Sequence, residues 1–250
     1  MYNLKICHLY PDILNLYGDS GNLRCMQKRL QWRGIEAELT GISVGQDLDY
    51  DAYDVFVIGG GQDFEQEVLI QDLLSTKGQA IKQAVEEEKT FLAICAGYQI
   101  LGNYYKTWDG KEYEFIGALD LYSVGTKKRV IGDYMFQCDE ADGGMTVVGF
   151  ENHSGQTYLG DHVRPFGKVL AGSGNNGKDK TEGARYKNVF ASYSHGPVLP
   201  KNPKLCDHIL KTALKRKYSD ISLEELDDLF EYNAHDFMEH RLNKGTGKTI

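Results

Sequence analysis

The sequence lacks two features that mark membrane and secreted proteins. No apolar run approaches the length that spans a bilayer, and the N-terminus lacks the basic, apolar and small-residue pattern of a signal peptide. An excess of positive charge is also missing, since the 250 residues carry a net charge of −8 with both signs interspersed. These absences predict a cytoplasmic protein with no transmembrane segment and no nucleic-acid-binding surface.

Cysteine is scarce, and its distribution excludes the usual cysteine-based scaffolds. The five cysteines are odd in number, widely scattered, and form no CxxC or other metal-ligand spacing. We therefore expect neither a disulfide framework nor a metal site. Four of the five lie in apolar or helical patterns typical of core positions; they are Cys7, Cys25, Cys138 and Cys206. Only Cys95 has the context of a turn followed by a helix.

The pattern of strands and helices predicts the fold class. Strand-like apolar segments alternate with amphipathic helices, as in βαβ units with a parallel sheet. The predicted strands of this part are residues 4–10, 35–42, 53–58, 91–94 and 189–194, and the helices are 21–34, 64–74, 78–88 and 205–217. Three further strands, 115–124, 129–138 and 146–151, have no long helices between them. We predict an α/β fold with a mostly parallel twisted sheet flanked by helices, an antiparallel strand extension and a C-terminal helix.

The domain organisation follows from the same pattern. We predict an α/β domain over residues 1–217, a C-terminal helical extension over 218–242 and a tail over 243–250. The extension contains the capping-box spacing Ser222 to Glu225, followed by an apolar stripe that could dock on a partner or on the chain's own domain.

Cys95 lies where a buried strand meets a turn. The run from Phe91 to Ile94 is short and continuously apolar, Gly97 permits a tight turn, and helix-like spacing follows to Tyr104. Backbone amides and a helix dipole at such a place would stabilise a thiolate nucleophile. The segment alone is equally consistent with a structural cysteine in the core.

Three consecutive glycines, Gly59 to Gly61, follow another apolar strand. They imply either unusual dihedral angles or a close approach by another group. The segment GGGQDF does not have the GxGxxG spacing of a dinucleotide-binding turn. A plain tight turn and an anion-cradling loop are both consistent with this segment by itself.

A thiol nucleophile needs a base, and His195 is the histidine best placed to provide one. It directly follows a predicted strand, so a parallel sheet would bring it to the same edge as Cys95. The other histidines lie in the first strand, in helices or in turns; His153 in particular is predicted to lie in a loop after Glu151. The Ala96 amide, with an amide of Gly60 or Gly61, would then stabilise an oxyanion.

These residues together resemble the class I, triad-type glutamine amidotransferases. The glycine-rich strand end, the elbow Ala93-Ile-Cys95-Ala-Gly97-Tyr-Gln99 and the later His195 match the signature of that family, although Ala93 replaces its usual glycine. Most members carry a glutamate two residues after the histidine, where this chain has Pro197. In this respect the chain resembles the branch of the family that includes the cobyric acid synthases.

Within that branch the sequence resembles the glutaminase subunits of lipid II isoglutaminyl synthases, two-subunit enzymes of Gram-positive bacteria. The motifs that carry this resemblance are LNLYGDSGN, YDVFVIGGGQDFEQ, AICAGYQILG, RVIGD, VGFENHSGQTY and YKNVFASYSHGPVLPKN. The resemblance implies that L-glutamine is hydrolysed and that its ammonia passes to a Mur-ligase-like partner in a heterodimer. The partner would use ATP and Mg²⁺ to amidate the D-glutamate of the lipid II stem peptide, and this subunit would need no cofactor.

The resemblance also implies roles for particular side chains. Cys95 and His195 would be catalytic, Arg129 and Gln99 would hold the substrate glutamine, and Asp19 is a candidate to orient His195. Arg129 could instead be a surface arginine at a strand start, and Asp19 could simply cap the following helix. Two other functions stay open: a glutaminase that serves a cobyrinate-type amidase, and a non-catalytic binding module that retains the fold.

Overall fold

A computed structural model of the chain describes residues 2–61, 67–140 and 143–245. Its regular elements alternate between strands and helices in the first half, and strands dominate the second half. The strands are β1 (Asn3–Leu9), β2 (Glu36–Ile42), β3 (Val55–Ile58), β4 (Thr90–Ile94), β5 (Tyr104–Lys106), β6 (Glu112–Glu114), β7 (Leu121–Cys138), β8 (Met145–Leu159), β9 (Gly167–Ala171), β10 (Thr181–Glu182), β11 (Ala184–Tyr186) and β12 (Val189–Ser192). The α-helices are α1 (Ser20–Trp32), α2 (Glu67–Asp72), α3 (Gly78–Glu86), α4 (Ala96–Gln99), α5 (Pro203–Lys217) and α6 (Leu229–Gly245).

The first sheet has six strands in the order β11-β12-β4-β3-β1-β2. All of its pairings are parallel except that of β11 with β12. The central strands β3 and β4 are buried at every position, as their continuous apolar sequences require. Because parallel strands end at the same edge, the segments after β3, β4 and β12 meet there. The predicted α/β fold class is confirmed.

The second sheet is built around the long antiparallel pair β7 and β8. The sequence predicted two separate strands within residues 115–138, and it ended the next strand at Glu151. The structure corrects both boundaries: a single strand runs from Leu121 to Cys138, and β8 continues to Leu159. The β7–β8 ladder shifts register between Gly125 and Val130, which explains why the sequence pattern seemed to break at this point.

Two helix predictions also need correction. The predicted helices 64–74 and 78–88 are joined, since α2 leads through a π-helical turn, Leu73–Lys77, directly into α3; residues 64–66 lie outside the described part. The helix predicted to continue to Tyr104 is the single turn α4, after which the chain enters β5. Helix-like spacing beyond Gln99 therefore comes from a buried loop, not from a helix.

The C-terminal segment is fastened to the domain by a buried ion-pair cluster. The Arg29 guanidinium donates to both carboxylate oxygens of Asp228, at 2.6 and 2.7 Å, and to Asp207 of α5. Helix α6 begins only after this contact, so the Ser222 to Glu225 spacing does not cap it. The helix extends to Gly245, three residues into the predicted tail, and residues 246–250 lie outside the described part.

The predicted apolar stripe on the last helix does not pack into the core. Leu229, Phe230 and Phe237 are 59%, 82% and 67% exposed. Within residues 2–61, 67–140 and 143–245, no helix combines the length and the apolar character needed to cross a membrane.

Candidate active site

Cys95 occupies a sharply turned backbone position directly after β4. Its φ is +51°, which is rare for a residue other than glycine. Its N–H donates to the Ser192 carbonyl at 2.9 Å, so the neighbouring strand β12 holds the turn. A Cβ at Gly97 would lie 2.5 Å from the Ile58 carbonyl oxygen, which explains the glycine there. A strained residue between strand and helix is the geometry of a nucleophile elbow.

The three glycines after β3 are needed for close approach by neighbouring groups. None of them has a positive φ, but a Cβ at Gly59 would lie 2.1 Å from the Leu14 carbonyl oxygen. A Cβ at Gly60 would lie 2.5 Å from Cε1 of His195. The Gly60 N–H already donates to Asp19 Oδ2 at 2.6 Å, whereas no group in the described ranges accepts from the N–H of Gly61.

His195 lies at the same sheet edge, in a closed environment. The imidazole is fully buried, and its main-chain N–H donates to the Phe150 carbonyl of β8 at 2.9 Å, which ties the two sheets together. The Tyr17 ring lies 4.4 Å from it, between centroids. Asp19 Oδ2 is 3.9 Å from Nδ1, and neither ring nitrogen has a hydrogen-bond partner in the described part of the chain.

Burial sets the charge of both His195 and Asp19. Desolvation, with smaller contributions from the nearby His153 and Arg129, lowers the pKa of His195 to about 3. The imidazole is therefore neutral at physiological pH. Burial raises the pKa of Asp19 to about 6, against the opposing effect of its hydrogen bond from Gly60. Although Asp19 stands at the start of α1, its side chain makes no capping hydrogen bond.

A cleft opens above Cys95 between the two sheets. It brings together five residues predicted for the site with five that were not; the lining residues are Gly61, Cys95, Ala96, Gln99, Tyr105, Arg129, Asn152, His153, Ser154 and Gly155. Gly60, Asp19 and His195 are not among them. These three form a buried group of their own, in which Gly60 directly precedes the cleft residue Gly61.

The two predicted substrate-binding side chains are held in different ways. Exposed Arg129 lies within the register shift of β7, and its guanidinium donates to Asn152 Oδ1 at 2.6 Å and to the Tyr17 hydroxyl at 2.8 Å. Gln99 is buried, and its Nε2 donates to the Tyr193 hydroxyl at 2.8 Å. The cleft thus has a cationic mouth and a polar floor.

Sequence reasoning missed Tyr17, Asn152 and His153. All three contact residues of the candidate site, and His153 lines the cleft directly. The signal for His153 was present: Glu151, His153, Gly155 and Thr157 occupy alternate positions, as on one face of a strand. Because the predicted strand ended at Glu151, this alternation was not recognised as part of a strand.

Comparison with known proteins places this geometry in a family. A family model described as the CobB/CobQ-like glutamine amidotransferase domain matches residues 5–203. A solved structure of PurLQS from Thermotoga maritima superposes with a TM-score of 0.58 over 87% of this chain and 99% of that one. Its sequence is only 17% identical, so that likeness concerns the fold.

Two relatives that align with most of the chain indicate to which group within the family it belongs. The chain is 40% identical to the lipid II isoglutaminyl synthase subunit GatD of Streptococcus pneumoniae, over 91% of this chain and 87% of that one. It is 39% identical to GatD of Staphylococcus aureus, over 98% of both chains. The chain therefore belongs to the CobB/CobQ-like glutamine amidotransferases and, within that family, to the group of the GatD subunits of lipid II isoglutaminyl synthase.

Proposed function

We propose that this enzyme is the glutaminase subunit of a lipid II isoglutaminyl synthase, with Cys95 as its nucleophile. The observation that carries the proposal is the strained turn that directs Cys95 into a cleft with Arg129 at its mouth. An arginine fork matches the α-carboxylate of glutamine, and Cys95 lines the same cleft, where it would meet the side-chain carboxamide.

The reaction begins when the Cys95 thiolate attacks the carboxamide carbon of L-glutamine. The C=O electron pair moves to oxygen, and we assign the Gly61 and Ala96 amides to this oxyanion. Gly60 is the weaker of the two glycine candidates because its N–H is already engaged by Asp19. Gly60 instead allows His195 and Asp19 to approach the turn, because a side chain at this position would collide with the His195 ring.

His195 manages the protons in this scheme. As a neutral imidazole it takes the thiol proton and returns it to the departing nitrogen, so that ammonia leaves and a glutamyl thioester remains. It then takes a proton from water, whose oxygen attacks the thioester carbon. Collapse of this second intermediate breaks the C–S bond and releases glutamate, and His195 returns the proton taken from water to the sulfur of Cys95. Asp19, whose carboxylate lies 3.9 Å from Nδ1, orients the ring.

The ammonia is proposed to pass to a Mur-ligase-like partner in a heterodimer. That partner would use ATP and Mg²⁺ to activate the α-carboxylate of the stem-peptide D-glutamate of lipid II, giving D-isoglutamine. Support comes from the names of the GatD relatives, which describe a glutamine-hydrolysing subunit of such a synthase. The scheme requires no cofactor in this chain and places the reaction in the cytoplasm.

An isotope experiment tests the proposal. The full chain, supplied with L-glutamine labelled with ¹⁵N in its side chain, is expected to release glutamate, and with the partner, ATP and lipid II the label should appear in D-isoglutamine. Mass spectrometry of the stem peptide measures the transfer. Glutamate release without labelled stem peptide would indicate a different acceptor, and absence of glutamate release even with the partner would contradict the proposal.

A further inference from the structure

The cleft contains a second imidazole that the proposed reaction does not use. His153 is 4% exposed and lines the same cleft as Cys95. It lies on the buried face of β8, two residues after Glu151. A buried histidine in the same cleft as a nucleophile calls for a chemical role, because burying a ring nitrogen without a hydrogen-bond partner destabilises the fold.

The orientation and tautomer of His153 are fixed by its surroundings. Its ring stacks on Tyr193, with centroids 3.8 Å apart and planes 11° apart. Nδ1 lies 2.7 Å from the Gly155 carbonyl oxygen, and since a carbonyl only accepts, Nδ1 must carry the hydrogen. In the neutral ring Nε2 is then an acceptor. Among the described residues, no group donates to this buried nitrogen.

A buried carboxylate lies close to that acceptor nitrogen. Glu151 Oε2 is 3.9 Å from Nε2, and the carboxylate is 3% exposed. It accepts hydrogen bonds from the amides of Ser173, at 2.9 and 3.1 Å, and of Gly174, at 3.0 Å. An acceptor nitrogen backed by an anchored carboxylate favours a cationic N–H donor.

The strand register identifies which substrate group meets this acceptor. His153 is paired across the ladder with Val130, the residue after Arg129, and Asn152 accepts from the Arg129 guanidinium. If Arg129 holds the α-carboxylate of glutamine, as proposed above, the neighbouring α-ammonium lies at the His153 end of the cleft. The carboxamide lies at the other end, with Cys95.

We propose that His153 is a substrate-binding residue whose Nε2 accepts a hydrogen bond from the α-ammonium group of glutamine, with Glu151 as the charge behind it. This rests on the proposed glutaminase function. It assigns to the Glu151–His153 pair the selection of an α-amino acid over a simple carboxamide.

The test compares L-glutamine with 4-carbamoylbutanoate, which is glutamine without its α-amino group. Ammonia release by the full chain with its partner gives kcat/KM for each substrate. The value for glutamine divided by the value for 4-carbamoylbutanoate measures recognition of the amino group. In His153→Asn the side-chain amide can still donate to Gly155 but has no atom at Nε2. We expect the ratio to fall about 10- to 100-fold, the range for a hydrogen bond to a charged group.

The fall should come from glutamine alone, mainly through KM, while kcat/KM for 4-carbamoylbutanoate stays near the wild-type value. His153→Gln restores an acceptor close to Nε2 and should recover part of the ratio. The ratio is taken within one sample, so a loss of folded protein cancels from it. An unchanged ratio in His153→Asn would overturn the inference while leaving glutamine hydrolysis intact; a wild-type chain that releases no ammonia from glutamine would overturn the proposed function itself.

Discussion

Cys95→Ala is expected to lower glutamine-dependent amidation by at least about 10³-fold, because the variant has no nucleophile to form the thioester. Alanine tolerates the positive φ at this position no worse than cysteine does, so the turn should persist. The partner's own chemistry does not involve Cys95, and amidation driven by added ammonium salts should therefore continue at the wild-type rate. Both rates are measured on the same complex by formation of the amidated stem peptide.

The matched control is Cys25→Ala. Cys25 lies on α1, away from the cleft, with its sulfur 3.8 Å from that of Cys206. Its replacement should leave glutamine-dependent amidation unchanged. Loss of the ammonium-driven reaction in Cys95→Ala would show that Cys95 does more than generate ammonia.

His195→Asn is expected to have the second largest effect, a fall in kcat for glutamine hydrolysis of about 10²- to 10⁴-fold with little change in KM. The residue is fully buried behind Gly60 and Tyr17, so it does not contribute to binding at the cleft mouth. It acts on the proton of the thiol and on that of the hydrolytic water. Steady-state glutamate release gives both constants.

Two other variants test whether His195, and not a neighbouring side chain, is the base. Asp19→Asn keeps an oxygen that can accept from the Gly60 N–H but removes the charge near Nδ1, and a smaller loss of kcat is expected. His153→Asn should raise KM and leave kcat largely intact. A large loss of kcat in His153→Asn, with activity retained in His195→Asn, would transfer the role of base to the imidazole that lines the cleft.

The sequence predicted the parallel sheet and the elbow because both leave strong local signals. Continuous apolar runs that end at Ile58 and at Ile94, each followed by glycine within three residues, mark buried strands that meet at one edge. The pairing of β4 with β12 then follows from topology, and it places Cys95 and His195 at the same edge. Family resemblance added Arg129 and Gln99, which do line the cleft.

Long-range contacts account for what the sequence did not show. The donor of Asp19's hydrogen bond, Gly60, is 41 residues away, so nothing local indicates that Asp19 leaves the helix end uncapped. The bulge in β7 interrupts the alternating pattern of one strand and made it look like two. His153 was missed because the predicted strand ended at Glu151, although the alternating pattern of β8 continues toward Leu159.

Covalent capture tests most directly whether Cys95 is the nucleophile that attacks glutamine. A glutamine analogue with a diazoketone in place of its carboxamide should alkylate the nucleophile irreversibly, and peptide mass spectrometry of the treated protein locates the adduct. We predict a single adduct on Cys95, prevented by excess L-glutamine and absent from Cys95→Ala. An adduct on another side chain, or no adduct in a protein that hydrolyses glutamine, would contradict the account.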